Sequence, residues 1–151
     1  MTEMNKTNIG KGILFALIVA IVACVIWAVV IGFTGTTTGG FVGGAIAGVL
    51  GAVLATVYQK GAGKLNFVGY LVIVILAILA VVGALILGIG MYISNEGHAS
   101  GIIAGIEFAL ENRSVRFALI QDAFISGSIA AGMGIATTMS SSKEKKKQEQ
   151  D

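Results

Sequence analysis

Four stretches of this chain can do little except cross a lipid bilayer as helices. Residues 12–33, 39–58 and 67–93 carry no charged side chain, and residues 115–139 carry two, Arg116 and Asp122. About 20 consecutive apolar residues, rising about 1.5 Å each, span the hydrocarbon layer. Within that layer no water is available to the backbone N–H and C=O groups, so each segment must satisfy them internally, as a helix does. Charged residues make up only 12% of the chain, about half the share of a soluble domain. The sequence therefore predicts an all-α, integral membrane four-helix bundle, with residues 1–139 forming a single transmembrane domain.

The connections are short and informative. Thr34 to Thr38 (TGTTT) reads as a tight turn, and residues 59–66 (QKGAGKLN) as a loop carrying Lys60 and Lys64. The polar connection 94–114 is longer. Within it Ile102, Ile103, Ile106, Ala109 and Leu110 recur at helical spacing opposite Glu107 and Glu111, which predicts a short amphipathic helix lying at the membrane interface over 99–112. Ser114 is placed to cap the following span through its hydroxyl. Residues 140–151 (SSSKEKKKQEQD) are charged and of low complexity, and are expected to be a disordered, basic cytoplasmic tail.

Orientation follows from the lysines and arginines. With four spans, Lys6, Lys11, Lys60, Lys64, Lys143, Lys145, Lys146 and Lys147 all fall on one side, and only Arg113 and Arg116 on the other. Three spans would split the basic residues between the two sides. The bias places both termini in the cytoplasm and the protein in the plasma membrane. Tyr58 and Tyr70 then fall near the inner interface, and Trp27 and Tyr92 near the outer. Ile21-Val22-Ala23-Cys24 has the outline of a lipoprotein cleavage box, but the apolar run continues through Val25, Ile26 and Trp27. Cys24 is therefore read as a small residue packed inside the first span.

The 22 glycines, with no proline, are arranged rather than scattered. In the second span Thr36, Gly40, Gly44, Gly48 and Ala52 recur every four residues, and Gly39, Gly43, Ala47, Gly51 and Ala55 form an adjacent stripe, a glycine-zipper pattern. Residues four apart share a helix face, so each stripe is a smooth surface on which another helix can approach closely. The fourth span carries a weaker version in Ser126, Ala130 and Gly134. Two uses are open: packing between helices of one chain, or a seam between copies in a homo-oligomer.

Asp122, flanked by Gln121 and with Ser126 one turn further on, is the ionisable feature of the fourth span. Such residues mark ion or substrate sites when they face the bundle interior, and are ordinary when they sit in the wet interface. From Asp122 to Met139 is about 17 residues, or roughly 25 Å of helix, which leaves both positions open. His98 with Glu96 lies in a Gly/Ser/Asn-rich loop and reads as solvated. The lysines at 143, 145, 146 and 147 can hold the tail to anionic lipid, or serve only to set topology. No nucleophile elbow, phosphate-binding loop or paired carboxylate occurs in a span, and one cysteine with one histidine gives no metal set. Neither an enzyme, a cofactor nor a nucleic-acid partner is expected.

The run IGKGILFALIVAIVACVIWAVVIGFTG, the glycine-rich second span, YQKGAGKLNFVGY, and the later FALENRSVRFALIQDAFISG resemble a family of small multi-pass bacterial membrane proteins without an assigned function. The resemblance implies a bacterial plasma membrane and transfers no catalytic residue. The expectation from sequence is a packing or assembly protein acting through the Gly40, Gly44 and Gly48 stripe, alone or with another membrane protein. The alternative is a small channel or transporter subunit with Gln121 and Asp122 at its outer mouth.

Overall fold

The structure, a computed structural model, describes residues 8–35, 41–63 and 67–148, without the side chains of 41–44, 141–142 and 144–148. Five helices follow one another: α1 (Ile9–Thr34), α2 (Phe41–Ala62), α3 (Phe67–Asn95), α4 (Ile102–Glu111) and α5 (Arg113–Gln148). Four of them, α1, α2, α3 and α5, are long and apolar enough to cross a membrane.

The helix ends have local chemical causes. Asn8 caps α1, its side-chain oxygen accepting from the Lys11 N–H at 3.2 Å. Gly35 ends α1 in the left-handed conformation, φ 62°, and its N–H donates to the Ile31 carbonyl. That region costs a side chain on Cβ, and the ring of Tyr92 occupies the same space, 2.5 Å from where a Cβ would stand. The Asn95 amide donates to the Gly32 carbonyl at 3.1 Å and ties the end of α3 to the end of α1. At the start of α5 the expected cap is corrected. The Asn112 side-chain oxygen, not Ser114, accepts from the N–H groups of Ser114 and Val115, at 3.1 and 3.3 Å. A capping oxygen reaches N–H groups two and three residues ahead, and Asn112 is the residue at that offset. Within the expected tail the backbone of α5 is helical through Gln148, and residues 149–151 lie outside the described residues.

Inter-helix approaches set the topology. Gly12 of α1 lies against Ala62 at the end of α2, so these two run antiparallel. Gly83, Gly88 and Met91 of α3 meet Cys24, Ile31 and Gly32 in ascending order, so α3 is parallel to α1. Gly127 and Gly134 of α5 meet Ile78 and Ile73 in descending order, so α5 is antiparallel to α3 and parallel to α2. The four long helices form a ring in the order α1, α3, α5, α2, with α4 laid on α3.

Alanines line the helix seams: Ala16, Ala20, Ala47, Ala55, Ala77, Ala84 and Ala130 are buried, beside larger side chains such as Ile31, Leu54, Ile73 and Leu85, whereas Ile26, Phe33, Val49, Leu79 and Phe124 stand outward. In lipid there is no gain from hiding a large apolar side chain, because acyl chains solvate it equally well, and small residues let backbones close in and gain dispersion contacts. The same logic docks α4. Its Gly105 meets the backbone of Gly90, and Gly105 and Ala109 are buried while Ile103 and Phe108 are exposed. Trp27 and Tyr58, expected in the interfacial belts, are both buried inside the bundle.

Candidate functional site

Packing turns one face of α5 inward. Leu119, Asp122, Ser126, Ala130, Gly134 and Thr138 are buried, and from Asp122 onward they repeat every four residues, the spacing that keeps side chains on one face. Asp122 and the small-residue stripe of this span, separate features in the sequence, thus belong to one inward line. Asp122 is 7% exposed and Ser126 1%, and both are engaged in polar interactions. Gln121 is exposed and lies outside the site.

The middle of that line is the α2–α5 seam. A Cβ on Gly51 would run into the carbonyl oxygen of Ala130 and lie 3.0 Å from the Gly134 N, and a Cβ on Gly48 would lie 3.3 Å from Met133 Cγ. Gly48, Gly51, Ala130 and Gly134 therefore come together at a close approach of two helices, and this packing is within the chain. Ala52 is half-buried beside them, and Gly44 lies on the same helix. Gly40 lies outside the described residues.

The seam also sets a register. Since α2 and α5 run parallel, moving eight residues back from Gly51 and from Ala130, about 12 Å along each helix, brings Asp122 level with the first turn of α2. The N–H groups of a first helical turn have no partner within the helix, and they form the positive end of its dipole.

Toward the other end of the seam stands Tyr58, fully buried, with no hydrogen-bond partner for its hydroxyl among the described residues. Buried hydroxyls usually have one, so Tyr58 and Thr138 extend the polar inventory beyond the residues singled out in the sequence. Thr138 had a legible signal, since it continues the four-residue repeat from Asp122, and its hydroxyl donates to the Ile135 carbonyl at 2.6 Å. Tyr58 had none, because an aromatic at the end of a span reads as an interfacial anchor.

The remaining candidates stay apart from this line. His98 and Glu96 are exposed in the turn after α3. Lys143 is exposed on α5, and the side chains of Lys145, Lys146 and Lys147 lie outside the described residues. Cys24 sits midway along α1 against Gly83. Among the described residues no cluster of His, Cys, Asp or Glu is arranged to hold a metal. Comparison with protein-family models, curated proteins and solved structures gives no match.

Proposed function

We propose that this chain is a small channel or transporter subunit of the bacterial plasma membrane, with Asp122 and Ser126 as its polar site. The observation that carries this reading is the 7% exposure of Asp122 on the inward face of a membrane-length helix. An ionisable group in a membrane span costs at least a few kcal/mol and is characteristic of ion pathways and proton relays. By the register of the α2–α5 seam it lies level with the first turn of α2, and in this reading the positive end of that helix compensates the charge. Protonation of the carboxyl, or replacement of its partner by a cation, changes that balance locally, which is what an ion-responsive site requires.

Around this site the proposed arrangement is both termini in the cytoplasm, supported by the lysine distribution, and α4 at the outer surface. In this arrangement the tail with Lys143, Lys145, Lys146 and Lys147 falls on the side of the inner leaflet, whose anionic lipid attracts basic residues. The bacterial assignment rests on the resemblance carried by the first two spans and the segment before the last. The protein is read as a non-enzyme.

A second reading, an assembly protein, rests on the part of the glycine stripe of the second span that the contacts within the chain leave unassigned. Gly48, which Met133 covers, drops out of its surface, and Gly40 and Gly44 are what remains of the stripe expected from the sequence. Two variants separate the readings in proteoliposomes. Under the polar-site reading Asp122→Asn abolishes proton or monovalent-cation flux at unchanged mass. Under the assembly reading Gly44→Leu lowers the oligomer mass, and Asp122→Asn is without effect.

A further inference from the structure

We propose that the first two turns of α5 bind the head group of an anionic phospholipid. Arg113, Ser114, Arg116, Phe117 and Ile120 line a concavity of about 430 Å³, within the usual size of a small-molecule site. Arg113, Arg116, Phe117 and Ile120 stand at i, i+3, i+4 and i+7, one face of a helix. Leu119 and Asp122 occupy the opposite face, which is packed inward, so the concavity looks away from the bundle, toward the surrounding membrane.

Charge and polarity are layered along this face as they are along a lipid. The two guanidinium groups and the Ser114 hydroxyl are at the end where α5 begins. Phe117 and Ile120 follow one and two turns further along, 69% and 63% exposed. Neither arginine forms an ion pair with a described residue, although Glu107 and Glu111 of α4 are exposed nearby in the chain. Arginine presents a planar fork of donors that matches phosphate oxygens, and two such forks three residues apart can hold one phosphodiester between them. The apolar pair then lies against the upper part of the acyl chains. The inference is independent of the Asp122 reading and requires only that α5 enters a bilayer.

The test is native mass spectrometry of the full chain, released from mixed micelles holding phosphatidylglycerol and phosphatidylcholine in equal amounts. The expected result is preferential retention of phosphatidylglycerol by the unmodified protein. A basic residue at a membrane surface favours anionic lipid by roughly fivefold, so Arg113→Ala/Arg116→Ala lowers the preference by ~25-fold. Arg113→Lys/Arg116→Lys retains most of it, and circular dichroism of each variant matches the unmodified chain. Equal retention of the two lipids by the unmodified protein overturns the proposal. So does a preference that survives the double alanine variant and disappears when Lys143, Lys145, Lys146 and Lys147 are changed to Gln, which assigns it to the tail. Binding of inorganic phosphate that the double alanine variant abolishes, without any lipid preference, also overturns it in favour of a soluble anion.

Discussion

At Gly51 the fold tolerates hydrogen and nothing larger. The atoms a Cβ would meet are backbone, the Ala130 carbonyl and the Gly134 N, and backbone cannot rotate aside as a side chain can. Gly51→Leu must push α2 off α5, and is expected to destabilise by at least about 2 kcal/mol, the range for overpacking a tight core. Gly132, on the same helix as Ala130, has open space where a Cβ would stand. Gly132→Ala is expected to change stability by less than about 1 kcal/mol, the intrinsic difference between the two residues in a helix. Unfolding of both variants by a denaturing detergent, followed by circular dichroism, checks the contrast. The four-residue repeat in the sequence named Gly48 and Gly51 as packing positions because spacing alone defines a face. It could not say which helix would cover them, since a period carries no information about the partner. Asp122 was open for a related reason: position along a helix follows from counting, but rotation follows from packing.

The elements were legible to the extent that length and apolarity decide them. The four long helices fall where the apolar runs are, with α1 starting three residues earlier, at Ile9, where Asn8 supplies a cap. The face of α4 was legible in part. Of the expected apolar positions Ile102, Ile103, Ile106, Ala109 and Leu110, Ala109 is buried and Ile106 lies against Gly90, while Ile102, Ile103 and Leu110 are exposed. Gly105, which the apolar pattern left out, makes the backbone contact with Gly90, because a small residue lets two helices approach closely. Gly105→Val, directed at the Gly90 backbone, is therefore expected to undock α4 from α3 while the other helices persist, seen as faster amide exchange confined to residues 102–111. Asn112→Ala removes the cap of α5 and should cost about 1 kcal/mol, with faster exchange in the first turn of α5, whereas Ser114→Ala should leave that turn unchanged.

For the whole molecule, the ring of four helices accounts for the distribution of small and large residues without a second copy. Its seams, Gly12 against Ala62, Gly88 against Ile31 and Gly51 against Ala130, join helices of one chain. What they enclose is a line of inward positions along α5 with Asp122 nearest its start and Thr138 near the end of the span, and Tyr58 facing the interior from α2. The function proposed from this line stands on a carboxyl group that the fold buries, and on a parallel pairing of α2 and α5 whose register brings it level with the start of α2. The most direct measurement is ion flux through proteoliposomes containing the unmodified chain or Asp122→Asn, with the mass of each protein taken from the same preparation. The account predicts flux of protons or monovalent cations with the unmodified chain and its loss in Asp122→Asn at unchanged mass. Equal flux in the two, or none in either, would contradict it.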